Sequence, residues 1–387
     1  MKPKILFVCS VSPVKINKLN PLGGGTLDNH LLFDYLKNYF EIHILTSEEG
    51  IPVGTHNFDG IVLHKINIRL IPKTGILNQM IQCNAFTREL RKLLNEIKFD
   101  FVIAETYLIV LSQRCAHSRG VKFVAWIKAH EMFYLKDDHL FYSRLRSIDS
   151  YLREIYYKKP TRHSIGRAEL VLTNSIFMQR RVQEAFKVNS EIIYPPINLQ
   201  DYAGITHEEE ARVGFIKPEE RKGLGILVEI AKQMPDVKFI CFGRKPPGYD
   251  SLEKQLPNIE FRGWEPDPAK IFNSFKILVA PSIYPEAFGR MAIEAFASGI
   301  VPIVANNGGL AEAVGNRKDL IVDDVYDIKD WKEKIRLFLN DKQKYDSLVE
   351  EGRKFVSRFS VENQGLQLRD LLLSHKSASN IKDSVRN

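Results

Sequence analysis

Short apolar runs bounded by turn residues alternate with stretches of helical spacing from the first residues onward. Lys4 to Cys9 reads as a strand, Thr26 to Asn38 as a helix, and Glu41 to Thr46 and Ile61 to Ile66 as two more strands. A long helical pattern at about 78–97 leads to strand Phe99 to Ala104, a helix near 107–118 and strand Lys122 to Ile127. After a basic helical segment, Leu170 to Thr173 and Glu191 to Tyr194 are short strands flanking the helix Ser175 to Phe186. Such alternation predicts a parallel sheet with helices on both faces. Pro195-Pro196 closes this unit, and the polar run GITHEEEARV leads into a second one. There the alternation restarts: Arg212 to Ile216, a helix from Gly223 to Gln233, then Val237 to Phe242, Ile259 to Arg262, Ile277 to Ala280, Val301 to Val304 and Leu320 to Val322. From about residue 328 the pattern is helical, and His375 to Asn387 reads as a frayed polar tail. The expected organisation is α/β, with two doubly wound, Rossmann-like parallel-sheet domains over 1–200 and 201–360. A C-terminal helix and tail over 361–387 follow, the helix packing back on the first domain.

Within that frame the loops at the carboxyl ends of strands carry the chemistry, because open α/β sheets bind ligands there. Pro281, Ser282 and Pro285 end the strand Ile277 to Ala280 before helical spacing resumes from Phe288 to Ser298, so Glu286 lies in a strand-to-helix loop. Glu294 sits two turns deeper on that helix, Gly299 caps it, and Asn306-Asn307-Gly308-Gly309 turns into the next helix. Helix N-termini and glycine turns offer backbone N–H groups that suit phosphate, while carboxylates accept hydrogen bonds from sugar or ribose hydroxyls. A ligand carrying both phosphate and hydroxyls fits this combination. Read singly, Glu294 could pair with Arg290 one turn earlier, and Glu286 could be a solvated loop residue. Near the amino terminus, Gly23-Gly24-Gly25 stands immediately before a helix, about fourteen residues beyond the first strand, which departs from the dinucleotide fingerprint. His130 follows the strand KFVAWI, and the turn PEERKG follows the strand VGFI.

Composition changes this picture only in its charge. The chain has 387 residues, 44% of them apolar and 26% charged, as in soluble globular proteins. No apolar run approaches the roughly 18 residues needed to span a bilayer, and the start leads straight into a strand, so a cytoplasmic location is expected. Cys9, Cys83, Cys115 and Cys241 are scattered without metal-ligand or disulfide spacing. The net charge of +8 is uneven: residues 1–200 carry +9 and the remainder −1. Seven basic and two acidic side chains, interleaved with aromatics, occupy 141–167. That stretch suits an anionic surface such as a membrane leaflet, a lipid-phosphate acceptor or nucleic acid, or else is a solvated helix face.

The segment from Glu286 to Glu312 resembles the signature of family 4 retaining glycosyltransferases of GT-B fold. Its positions here are Glu286, Glu294, Ala295, Ala297, Gly299, Pro302, Gly308, Gly309 and Glu312. Weaker likeness extends over TNSIFMQ at 173–179, the hinge segment IIYPPINLQDY, CFGR at 241–244 and NIEFRGW at 258–264. The resemblance implies two domains facing a central cleft and a nucleotide-diphosphate sugar, UDP- or GDP-linked, as donor. Glu294 would hold the donor ribose; Glu286, with the backbone of Ala287, Phe288 and Gly289, would grip the sugar. Lys222 would offset charge on the leaving diphosphate, Gly24 and Gly25 would face the donor phosphate, and His130 would touch the transferred sugar. Gly263 and Trp264 would line the base. The Arg usual just after the strand is absent, with Phe215 in its place, and either Lys217 or Arg221 completes the clamp. No D-x-D occurs, and the resemblance implies no metal and no other cofactor. The implied acceptor is a glycan or a lipid-linked molecule in surface polysaccharide or glycoconjugate synthesis, with peripheral membrane contact through 141–167 at the inner face and no nucleic acid. A sugar-nucleotide epimerase of the same fold and a non-catalytic anion or nucleic-acid binder are the alternative readings; product analysis with and without acceptor distinguishes the first, steep salt dependence the second.

Overall fold

A computed structural model describes residues 2–14, 23–68, 75–129, 159–205 and 212–384. The chain forms two compact units, one of residues 1–194 with 361–387 and the other of 195–360.

In the first unit, eight strands form one sheet in the order β3-β4-β2-β1-β5-β6-β7-β8. They are β1 (Lys4–Val8), β2 (Glu41–Thr46), β3 (Gly54–Phe58), β4 (Ile61–Lys65), β5 (Phe101–Glu105), β6 (Lys122–Ile127), β7 (Leu170–Thr173) and β8 (Glu191–Ile192). The central strands are buried on both faces, which is why they read as continuous apolar runs rather than alternating ones. The strand order reverses between β1 and β5. One strand departs from the all-parallel expectation: β3 pairs antiparallel with β4 at the edge of the sheet. Its sequence, GTHNF, is largely exposed and carries no apolar run. The hairpin signal is Asp59-Gly60, whose φ angles of 52° and 81° make the two-residue turn that matches the twist of paired strands.

The helix Ile176–Phe186 begins at Ser175, whose hydroxyl accepts from the Met178 N–H at 3.0 Å. The helix Val361–Ser384 joins this unit and packs on the helix Gly24–Leu36. Gly365 permits that approach, since a β-carbon there would overlap the Tyr35 ring. Leu368 and Leu372 enter the same core as Phe7, Leu32 and Trp126. Helical structure continues to Ser384, past the point where the polar sequence reads as a frayed tail. Lys376 pairs with Asp100 at 2.8 Å and Lys122 bonds the His375 carbonyl, so charged side chains rather than apolar ones anchor that stretch.

In the second unit all six strands are parallel: β9 (Arg212–Ile216), β10 (Lys238–Phe242), β11 (Ile259–Gly263), β12 (Ile277–Ala280), β13 (Val301–Ala305) and β14 (Ile321–Val322). Their order is β11-β10-β9-β12-β13-β14, so succession runs outward in both directions from the β9/β12 pair. That pair is the switch point, and the loops leaving its carboxyl ends are the natural place for a ligand.

Candidate functional site

Three loops meet at the carboxyl end of β9, β12 and β13. The first, Lys217 to Gly223, leaves β9 with Lys217 in the left-handed region (φ 60°) and ends in a single turn of 3-10 helix, Glu220–Lys222. Gly223 closes it at φ 88°, where a β-carbon would overlap the Pro281 carbonyl; only glycine lets this loop lie against the start of the next. The Arg221 carbonyl then accepts the N–H groups of Ile283 and Tyr284, both at 3.1 Å. The second loop, Pro281 to Gly289, is thereby tied to the first.

The third loop locks the second in turn. Gly308 bridges Glu286 as a one-residue parallel ladder, and the Gly309 N–H donates to the Glu286 carbonyl at 2.7 Å. Gly308 has φ 69°, and a β-carbon there would overlap the Glu286 carbonyl oxygen and stand 2.6 Å from its nitrogen. Asn307 Nδ2 donates to the Ser282 carbonyl at 3.0 Å. Gly289, at φ 113°, precedes the helix Arg290–Ala297, whose N-terminus no side chain caps.

The side chains of this corner are paired. Lys222 Nζ meets Glu286 Oε1, which also accepts from Ser282 Oγ at 2.7 Å; the Lys222 and Glu286 side chains are 12% and 15% exposed. Glu294 Oε1 accepts from Arg290 Nε at 2.7 Å, the pair being mostly buried. That pairing is the one the helical spacing allows, yet the guanidinium also reaches the Pro196 carbonyl through Nη1 at 2.8 Å. Tyr202, 4% exposed, bonds Glu294 as well; burial first, and then the Glu294 charge, push its phenol far up.

The structure brings Glu286, Lys222, Ala287 and Gly289 together with the Gly308-Gly309 turn, while Phe288 is buried against the Phe359 ring at 5.3 Å. Arg221 is exposed, holds Glu219 at 2.7 Å and lies 5.6 Å over the Tyr284 ring. Lys217 is exposed at the end of β9, its N–H bonded to the Phe242 carbonyl at 2.8 Å. Gly263 ends β11 and accepts from the Gly243 N–H at 2.6 Å, and Gly243 in turn abuts Pro218, so the base-side strands connect to the Lys217 turn. Trp264, just beyond, is 55% exposed.

In the first unit, Gly24 and Gly25 open the helix Gly24–Leu36, with Gly23 as a cap that makes no side-chain bond and with no acidic residue in the first turn. Among the described residues no atom lies within 4 Å of a β-carbon built at Gly23 or Gly25. His130, Glu131 and residues 141–158 of the basic stretch lie outside the described residues.

A second cluster escaped the sequence reading. At the carboxyl ends of β5, β6 and β7, Lys128 pairs with Glu105 at 3.3 Å and bonds Asn29 Oδ1, while Asn29 Nδ2 donates to Glu105 at 3.3 Å. Asn174 donates to the Lys128 carbonyl at 3.2 Å, Lys128 sits 3.9 Å over the Trp126 ring, and Thr106 holds φ 57°. Among the described residues the buried Asn174 Oδ1 and Thr106 Oγ1 have no hydrogen-bond partner. The available signal was positional: Glu105 ends the strand beside the unit's own switch point, and Lys128 and Asn174 directly follow the next two strands out. Among the described residues no group of three or more His, Cys, Asp or Glu side chains is arranged to hold a metal ion, and no helix is long and apolar enough to cross a membrane.

Parallel strands that reverse order beside a glycine-locked carboxylate corner define an α/β architecture that binds ligands at its strand ends, and comparison with known proteins gives its family. Residues 209–355 match the family described as glycosyl transferases group 1, and residues 30–201 match glycosyltransferase family 4. The chain belongs to the family 4, group 1 glycosyltransferases, and its two parallel-sheet domains have the GT-B fold. It is 23% identical over 292 residues to a D-inositol 3-phosphate glycosyltransferase of Corynebacterium urealyticum, spanning 65% of this chain and 68% of that protein. Smaller shares of other curated relatives are spanned, 29% and 58% in two cases. Among solved structures, sucrose-phosphate synthase of Thermosynechococcus elongatus superposes with a TM-score of 0.76 at 17% identity, covering 97% of this chain and all of that one. HepE of Anabaena, crystallised with UDP and glucose, gives 0.69 at 19% identity, covering 96% and 100%.

Proposed function

We propose that this chain is a retaining, metal-independent glycosyltransferase that takes a sugar from a nucleotide-diphosphate sugar and passes it to a glycan or lipid-linked acceptor. The observation that carries the reading is the Lys222–Glu286 pair at the β9/β12 switch point, held in place by the Gly308-Gly309 turn. A cation beside a carboxylate supplies the two chemistries a nucleotide sugar needs: Lys222 meets the diphosphate, and Glu286 accepts from sugar hydroxyls. Glu294, on the first turns of the following helix, holds the ribose. Arg221 or Lys217, both on the loop after β9, adds the second cation, and Gly24-Gly25 offers its amides to the phosphate. His130 touches the transferred sugar, and Gly263 and Trp264 flank the base.

In the transfer step the bond between the sugar's anomeric carbon and the diphosphate oxygen breaks, with the electron pair leaving on the diphosphate. The acceptor hydroxyl oxygen bonds that carbon from the same face, and its proton passes to the departing phosphate oxygen. Lys222 acts where charge accumulates, so its contribution grows toward the transition state. Resemblance to the family supports same-face transfer, and the absence of D-x-D supports phosphate handling by side-chain cations and helix ends. The acceptor is held mainly by the basic first unit. Solved relatives bound to UDP and to UDP-glucose support UDP as the carrier. Work on surface glycans at the inner face of the membrane, with the basic 141–167 stretch in peripheral contact, is the setting this reading assigns.

The test is a calorimetric titration with UDP, GDP and ADP and with their glucose conjugates, followed by product analysis with and without acceptor sugars. Binding of one diphosphate in the micromolar range, lost in Glu294→Ala, is expected. No binding to any member of the panel would remove the proposal.

A further inference from the structure

Glu294 does not stand alone on its helix. Its carboxylate accepts from Arg290 Nε at 2.7 Å one turn earlier and lies within hydrogen-bonding reach of the buried Tyr202 hydroxyl. Both partners come from, or reach, the same short stretch of chain, Pro195 to Tyr202, where the polypeptide enters the second unit. Arg290 Nη1 is fixed on the Pro196 carbonyl at 2.8 Å. Tyr202 ends the 3-10 turn Leu199–Tyr202, which Asn198 caps by accepting from the Gln200 N–H at 3.3 Å, and its ring packs against Phe272 at 5.9 Å. The entering stretch is itself pinned, the Ile197 N–H donating to the Phe359 carbonyl at 2.8 Å. Arg290 and Glu294 are both mostly buried, and Tyr202 is 4% exposed.

A helix surface pair has no need of this arrangement. An exposed i,i+4 pair adds little to stability, and a buried ion pair recovers its desolvation cost only with good geometry and further hydrogen bonds. Here one carboxylate is given two donors from fixed positions, yet a carboxylate has about four acceptor sites, so capacity remains for ligand hydroxyls. Two rigid donors fix the plane and rotamer of the acid, which is what bidentate recognition of a vicinal diol requires.

We propose that Tyr202 and Arg290 are positioning residues that hold Glu294 ready for the two hydroxyls of the donor ribose, making the segment Pro195–Tyr202 part of the nucleotide site. The inference rests on the reading of Glu294 as the ribose ligand. Neither residue touches the donor; each acts through Glu294.

The experiment compares binding of UDP with 2′,3′-dideoxy-UDP by calorimetry in the full-length protein, in Tyr202→Phe, Arg290→Lys, Arg290→Ala and Glu294→Gln. Wild type is expected to prefer UDP by roughly tenfold or more, the worth of hydrogen bonds to a charged acceptor. Tyr202→Phe keeps the buried ring and removes only the hydroxyl; the preference is expected to fall to about threefold or less while dideoxy-UDP affinity is unchanged. Arg290→Ala is expected to lower it further and Arg290→Lys to restore part of it. A purely structural role for these residues lowers the melting temperature but leaves the UDP to dideoxy-UDP ratio at the wild-type value, and that result overturns the proposal. If wild type itself makes no distinction between the two nucleotides, the ribose assignment of Glu294 falls, and this inference with it. Should Arg290→Ala fail to fold, the isosteric Tyr202→Phe still decides.

Discussion

Replacing Gly308 with alanine tests whether the glycine turn is what holds Glu286 in place. Gly308 has φ 69°, a region that costs an L-residue roughly 1–2 kcal/mol. The added methyl would overlap the Glu286 carbonyl oxygen and lie 2.6 Å from its nitrogen, against a comfortable separation of about 3.5 Å, so the two loops must part by about 1 Å. Those contacts are backbone, so no side chain can swing away. Parting removes the 2.7 Å bond from the Gly309 N–H to Glu286, worth about 1 kcal/mol, and the crowding adds about 1–3 kcal/mol. The total is about 3–6 kcal/mol, a fall of about 6–24 °C in melting temperature for a unit of this size. An error of 1 Å at a positioned group costs about a hundredfold in rate, so transfer is expected to drop by about two orders of magnitude even at temperatures where the variant stays folded. Differential scanning calorimetry and a diphosphate-release assay at 15 °C measure the two effects. A variant with wild-type melting and wild-type rate would refute the argument that the turn positions the carboxylate.

Three further outcomes follow from the same geometry. Lys222→Ala is expected to slow turnover by about a hundredfold or more while raising the donor KM modestly, whereas Glu294→Ala chiefly raises the donor KM; steady-state kinetics with the donor varied tells the two apart. Gly25→Ala lies in a helix where no described atom comes within 4 Å of the added methyl, so it is expected to stabilise the chain by about 0.5–1 kcal/mol in urea unfolding while weakening diphosphate binding in calorimetry. Stability is expected to depend on pH through the buried pair His43 and His64, whose rings are linked at 2.9 Å and extended to Glu41 at 3.0 Å and Thr55 at 3.1 Å. Burial first, and then the His43 charge, lower His64 from 6.5 to about 4, and burial lowers His43. Depressed histidines bind fewer protons folded than unfolded, so their stability contribution is full above about pH 6.5 and is lost as pH falls toward 4. Glu41, lowered by Lys4 and then His43, acts in the same direction. For His64 alone the loss is about 3 kcal/mol, and urea midpoints at pH 7.5, 5.5 and 4.5 measure it; a flat profile contradicts the buried neutral pair.

The parts of the fold and site that could be read from the sequence are those written in short-range patterns. Buried parallel strands advertise themselves as apolar runs, and Glu286, Glu294 and the double glycine stand at fixed spacing around one strand-turn-helix unit. Gly223 and Gly289 were visible as glycines, but their necessity comes from groups brought close by folding: the Pro281 carbonyl in one case and the Leu310 side chain in the other. The β3 hairpin was hidden because an exposed edge strand needs no apolar face, and only Asp59-Gly60 marked it. The Asn29–Glu105–Lys128 cluster was hidden for a different reason. Its members are separated by 76 and 99 residues and meet only because parallel strands deliver their ends to one edge. The ion pairs Lys222–Glu286 and Glu294–Arg290 differ in the same way: the second is a helical neighbour pair, while the first joins residues 64 apart.

The most direct test of the central claim is a crystal structure of the protein with an intact UDP-sugar or its non-hydrolysable analogue. The account predicts the diphosphate against Lys222, the sugar hydroxyls on Glu286, and the ribose diol on Glu294. Density for the nucleotide away from the β9/β12 switch point, with Lys222 and Glu286 still paired to each other and untouched by ligand, would contradict it.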